Sequence, residues 1–121
     1  MCYSATLYST GTSSYRNQTW MTNLDYGLPI REISILGTRN SIQTMECWWN
    51  FPPQRKQSNS IQNQLESGIR ALDVRFKHDN NKFDLYDRNC PLGVNFDDVL
   101  IPVKNFLITY PGETVLLHLV Q

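Results

Sequence analysis

Between Ser60 and Phe76 the chain passes from a helical to an alternating period across a single glycine, and that junction constrains the fold more than any other feature. Ser60 to Ser67 (SIQNQLES) offers a serine as N-cap, sets Ile61 and Leu65 one turn apart and ends at Gly68, where a helix terminus favours left-handed backbone. A short helix is predicted there. Directly after it, Ile69 to Phe76 (IRALDVRF) alternates, with Leu72, Val74 and Phe76 on one side and Asp73 and Arg75 on the other. The apolar side calls for a covering helix, so the charged side faces the interior of a sheet or barrel. Charges in such a place are costly unless they are paired or bind something ionic.

The flanking segments supply the partners. Ile30 to Leu36 (IREISIL) is dominated by β-branched residues and stopped by Gly37-Thr38, which predicts a first strand ending in a loop. Ile69 to Phe76 is then the second strand. After a turn at His78 to Asn81, Phe83 and Leu85 alternate with Asp84 and Tyr86 to give a third, closed by a loop at Asn89 to Gly93 (NCPLG). Asn95 caps a following helix, with Asp97 and Asp98 in its first turn, where the positive end of the dipole favours carboxylates. Val99, Val103, Phe106 and Leu107 share one face of that helix, and Pro102 falls in its interior, where a kink is expected. Pro111-Gly112 ends it, and Val115 to Val120 is a fourth strand. Strand, loop, helix and strand form a crossover that sets strands three and four parallel, so the predicted class is α/β with a parallel sheet. Residues 1–19 form an irregular arm or one weak edge strand, and residues 20–121 form the domain. Met45 to Gln57, with Trp48, Trp49, Phe51 and Pro52-Pro53, is a connecting loop whose aromatics fold back onto the body or lie at a lipid interface.

Composition narrows the function classes. At 121 residues there is room for one domain, and a 40% hydrophobic content foresees a thin core. Eleven basic and eleven acidic side chains cancel, which argues against nucleic acid as a partner and against a purely electrostatic membrane anchor. No apolar run approaches the roughly 18 residues of a membrane-spanning helix, and Met1 to Gly11 lacks the pattern of a secretory leader, so a soluble chain is expected. Cys2, Cys47 and Cys90 show no C-x-x-C spacing and only two histidines accompany them, which disfavours zinc. A Cys47 to Cys90 bridge and three free thiols both stay open.

In parallel α/β sheets ligands gather at the carboxyl ends of the strands. The residues to inspect are therefore Arg39 and Asn40, Asp73 and Arg75, and Asp87 and Arg88. The bland alternative for Asp73 and Arg75 is a satisfied buried pair with Asp87 or Arg39. His118, inside an apolar strand, reads as a core histidine, and His78 as a solvated turn residue.

These strand ends also spell a known pattern. Ile33 to Ser41 (ISILGTRNS) resembles the I-S-I-P-G-T-H-[DN]-S signature of the phosphatidylinositol-specific phospholipase C family, X-domain type. Gln57 with Ser60 to Arg75 is similar to that family's C-Q-x-x-S-I-x-x-Q-L-x-x-G-I-R-x-L-D-I-R stretch, Leu85 to Gly93 to its L-Y-H-G-x-C-P-L-G, and Phe96 to Leu117 to its F-D-D-V-L…P-G-E-T-V segment. The resemblance implies a distorted (β/α) barrel that cleaves the phosphodiester of phosphatidylinositol, one histidine taking the inositol 2-hydroxyl proton and a second protonating the leaving oxygen. Arg75 matches the arginine that neutralises the phosphate in the metal-free branch, which implies no metal and no other cofactor, and Asp73 matches the acid two residues earlier. The catalytic positions carried over are Arg39, Asn40, Asp73 and Asp87, and the phosphate-binding positions are Arg75 and Arg88.

Both histidine positions are substituted, by Arg39 and Asp87, while Arg88 replaces a glycine, Lys56 the cysteine, Leu36 the proline and Val120 a basic residue. A guanidinium holds its proton at every accessible pH and cannot act as a base, and an ordinary carboxyl group has lost its proton well below neutrality. A complete barrel takes about 250 residues, so about half of one, roughly four strands, is expected. The resulting expectation is a phospholipase C-like protein impaired in catalysis. A non-catalytic protein that binds anionic headgroups, and a truncated gene product without its own function, are the alternatives. The implied partner is phosphatidylinositol or a related anionic lipid headgroup, with peripheral membrane contact and self-association through an open barrel edge. Relatives are commonly secreted, and the compartment of this chain stays open.

Overall fold

Ser60 does cap a helix: its Oγ accepts the Asn63 N–H at 3.3 Å, and helix α1 runs Ile61–Glu66. Gly68, at φ +104°, turns the chain out of α1 and into the central strand. The computed structural model describes residues 3–4, 16–25, 27–42, 57, 59–87 and 90–121. In chain order the strands are β1 (Tyr3–Ser4), β2 (Leu36–Thr38), β3 (Ala71–Asp79), β4 (Lys82–Asp87), β5 (Cys90–Asn95) and β6 (Leu116–Val120), with helix α2 (Asp97–Thr109) before the last. β1, β2, β3 and β6 run parallel, with Tyr3 opposite Leu36, Gly37 opposite Ala71 and Asp73 opposite His118.

Both helices lie on one side of β3. Leu72 and Val74 point into a core closed by Ile61 and Leu65 of α1, Val99, Val103 and Phe106 of α2, and Ile69 and Leu85. All are buried. Packing of this apolar face, not helix propensity, holds a six-residue helix such as α1 in place. The opposite side of β3, with Ala71, Asp73 and Arg75, is left free of the helices, as the alternation foresaw.

Three expected elements differ. Of the first expected strand only Leu36 lies in a strand, which runs on through Gly37 and Thr38 where a stop was expected, and Ile30–Glu32 is a 3₁₀ turn after Pro29. β-Branched residues favour a strand only where a partner is present, and pairing with β3 begins at Gly37. The third expected strand exists as β4, but it is the antiparallel hairpin partner of β3, with Phe76 opposite Leu85 and Asp79 opposite Lys82. Asn80 and Asn81 both adopt left-handed backbone, φ 47° and 61°, and a two-residue turn can join only antiparallel strands. The parallel neighbour of β6 is therefore β3 itself. The expected loop at Asn89 to Gly93 is largely strand: β5 pairs antiparallel with β4, and Pro91 is tolerated because β5 lies at the end of the strand order.

α2 starts as foreseen in function if not in register. Asn95 Oδ1 accepts the Asp97 N–H at 2.9 Å while Asp98 Oδ2 accepts the Asn95 N–H at 2.8 Å, a reciprocal box around the first turn. Pro102 sits inside the helix. Cys90 is disulfide-bonded, so three free thiols are excluded. The cysteines that can meet it, Cys2 and Cys47, lie outside the described residues, as do Trp48, Trp49, Phe51 and Lys56. Among the described residues no helix is long and apolar enough to cross a membrane.

A buried ion pair ties the strands to the N-terminal segment. Arg70, just before β3, donates from Nε and Nη2 to Glu113 Oε2 at 2.9 and 2.8 Å, and both side chains are sealed from solvent. Glu113 Oε1 accepts from the Thr22 N–H and hydroxyl at 2.8 and 2.6 Å, and the Trp20 indole donates to the Gly68 carbonyl at 2.9 Å.

Candidate functional site

The carboxyl end of β2 is clamped onto β3. A Cβ at Gly37 would lie 3.0 Å from Ala71 Cβ and 3.2 Å from its carbonyl oxygen, so glycine is what allows the two strands this approach. Beyond it, the Ser41 N–H donates to the Asp73 carbonyl and Ser41 Oγ accepts the Asp73 N–H, each at 2.9 Å. Gln64 braces the loop from α1, its Oε1 accepting from the Thr38 hydroxyl and its Nε2 donating to the Ser41 carbonyl, each at 2.7 Å. Gln57 Nε2 donates to the Arg39 carbonyl at 2.8 Å. Thr38, Ser41, Gln57 and Gln64 are all buried. A fully satisfied network of this kind fixes a loop because each member left alone would incur a desolvation cost.

Asn40, with left-handed backbone at φ 47°, is the pivot. Asparagine tolerates that region better than most residues. Its N–H donates to Asp73 Oδ2 at 3.1 Å and its side-chain amide donates to Asp87 Oδ1 at 3.0 Å. Asp87 is buried behind it. Asp73 is the hub: Oδ2 takes the Asn40 N–H and lies 3.8 Å from Arg75 Nε, while Oδ1 lies 2.8 Å from His118 Nδ1.

These groups border an open cavity of about 580 Å³, lined by Arg39, Asp73, Arg75 and His118 with an apolar floor that includes Ala71 and Leu117. The Arg75 side chain is one-third exposed, and its Nε has no hydrogen-bond partner among the described residues, since 3.8 Å from Asp73 is ion-pair rather than hydrogen-bond distance. Arg39 is exposed at the rim. Three of the expected site residues, Arg39, Asp73 and Arg75, thus share the cavity. Asn40 and Asp87 stand behind them, joined through Asp73, and Arg88 lies outside the described residues.

Two expectations are corrected here. The partners of Asp73 are Asn40, His118 and Arg75, not Asp87 or Arg39. His118 is no core residue: its side chain is 76% exposed and meets the cavity, because the parallel register sets it opposite Asp73 on the helix-free face of the sheet. Val115 to Val120 is apolar on both parities, which hid that face in the sequence. Thr38, Ser41, Gln57 and Gln64 stand in the motif stretches, but their bracing role needed the geometry. Among the described residues no group of three His, Cys, Asp or Glu side chains is disposed to hold a metal ion.

No protein-family profile matches the chain. It is 29% identical over 110 residues to a 1-phosphatidylinositol phosphodiesterase of Listeria monocytogenes, a match covering 88% of this chain and 34% of that protein. It superposes on a phosphatidylinositol-specific phospholipase C of Staphylococcus aureus with a TM-score of 0.80 and 25% identity, over 88% of this chain and 36% of the other. A pentafluoro-Phe-containing form of the Staphylococcus aureus protein gives a TM-score of 0.75 at 26% identity, over 84% and 34% of the two chains. The chain therefore spans about a third of the length of the relatives it matches. The likeness that the motifs carry holds for the backbone as well: this chain is phosphatidylinositol-specific phospholipase C-like, a partial barrel of that type.

Proposed function

We propose that the chain holds the anionic headgroup of an inositol phospholipid at the carboxyl ends of β2, β3 and β6, and that it is impaired in cutting it. One observation carries this reading. Arg75 lines the cavity with a side chain one-third exposed, and the carboxylate nearest to it, 3.8 Å from its buried Nε, is already engaged by Asn40 and His118. A guanidinium so placed suits a phosphodiester, which accepts two parallel hydrogen bonds from its planar fork. Arg39 adds a second cation at the rim.

The impairment follows from what stands at the two histidine positions. Arg39 has no proton acceptor, and Asp87 is buried with an oxygen committed to the Asn40 amide. Loss of general acid–base help costs about 10²- to 10⁴-fold in rate per group.

Sedimentation with phosphatidylinositol-containing vesicles tests the binding. The chain is expected to co-sediment with them and not with phosphatidylcholine vesicles, and Arg75→Ala is expected to weaken this by about tenfold or more, the worth of a charge-assisted hydrogen bond. Equal sedimentation of the two proteins would reject the proposal. Release of inositol phosphate from phosphatidylinositol micelles is expected to stay at the level of a heat-denatured control, and turnover above it would overturn the impairment.

A further inference from the structure

The headgroup reading uses Arg75 and Arg39 and leaves His118 unexplained. His118 lies opposite Asp73 in the β3–β6 register, and its Nδ1 is 2.8 Å from Asp73 Oδ1. A carboxylate only accepts, so Nδ1 carries the proton of this bond and Nε2, on the far side of the ring, is left to the cavity. The Asp73 carboxylate is thereby flanked by two cation-capable groups, Arg75 near Oδ2 and His118 on Oδ1, both lining the same cavity. Neither substituted histidine position accounts for this imidazole, which comes from a different strand.

We infer that His118, held by Asp73, is a headgroup-binding residue: its protonated ring donates Nε2–H to the phosphodiester of the headgroup that Arg75 grips. The inference rests on the headgroup reading above. Among the described residues, the charged groups that share the cavity with the ring are Asp73 and Arg75 from β3 and Arg39 from the loop after β2, and β6 adds none from Leu116 or Val120, its neighbours on the same face. Guanidinium groups keep their charge throughout the neutral range, whereas imidazole is the side chain that ordinarily changes charge between about pH 5 and 8. An anion that prefers the protonated ring binds more tightly as pH falls, and by linkage its binding raises the pH at which the ring titrates.

The chain has two histidines, so imidazole NMR follows both rings directly. His78 serves as the internal reference, since it packs against Phe83 in the hairpin with ring centroids 5.0 Å apart and does not line the cavity. Glycerophosphoinositol is the probe, because its diester carries one fixed negative charge, whereas a phosphomonoester takes up a second proton near pH 6. At saturation the His118 midpoint is expected to rise by about one pH unit, equivalent to about tenfold tighter binding to the protonated ring, with His78 unmoved. Wild type is expected to bind the probe several-fold more tightly at about pH 5.5 than at about pH 7.5, a difference that His118→Gln removes. Binding that depends on Arg75 but leaves the His118 midpoint in place overturns this inference and spares the headgroup reading. Absence of probe binding at both pH values overturns the two together.

Discussion

Glu113 sits at the junction of three segments, and its charge is held there against the cost of burial. Burial by itself raises its carboxyl, but hydrogen bonds from the Thr22 hydroxyl and N–H and from Arg70, with the Arg70 charge, outweigh it and hold the group below the usual carboxylate range. Burial likewise lowers the Arg70 guanidinium, opposed by its bonds to Glu113. Removing one charge of such a pair strands the other, so Glu113→Gln is expected to lower stability by about 3–5 kcal/mol in denaturant unfolding. A loss under about 1 kcal/mol would show the pair to be dispensable. The folded value lies below the unfolded one, so this stabilisation is complete above the ordinary carboxylate range and fades as pH falls through the folded value. The variant should accordingly show a shallower loss of stability on acidification than the parent.

At the scale of elements, the hairpin between β3 and β4 turns on Asn80 and Asn81, both left-handed. Asn followed by Gly is the pair best fitted to such a turn, so Asn81→Gly is expected to stabilise the protein by about 0.5 kcal/mol, read as a rise in melting temperature. A fall would mean that the Asn81 side chain contributes more than its backbone strain costs. This hairpin also marks where periodicity stops being informative. α1, α2, β3 and β6 were legible because caps, an apolar face, strict alternation or an apolar run of strand length mark each in its own residues. The pairing of β4 was not, because alternation in Phe83 to Tyr86 is the same for a parallel and an antiparallel partner. β2 was overextended for a related reason: Ile30 to Ile35 carries strand propensity without a neighbouring strand to realise it.

On the scale of the whole molecule, the site comes from segments far apart in sequence, and its legibility followed how local each clue was. Alternation within one strand sufficed to put Asp73 and Arg75 on the free face. Arg39, Asn40 and Asp87 came from their places at strand ends, and the family likeness gave them roles. His118 required the β3–β6 register, a relation between residues 45 positions apart that no local pattern encodes. The bonds around Glu113 reach further still, since Thr22 meets a carboxylate 91 residues further on. A ribosome delivers Thr22 and Arg70 well before Glu113, so during synthesis Arg70 waits without its counterion and Thr22 without the carboxylate that its hydroxyl and N–H bond. The turn after α2 is thus a latch for a stretch made 91 residues earlier, and it can close only after Glu113 has emerged.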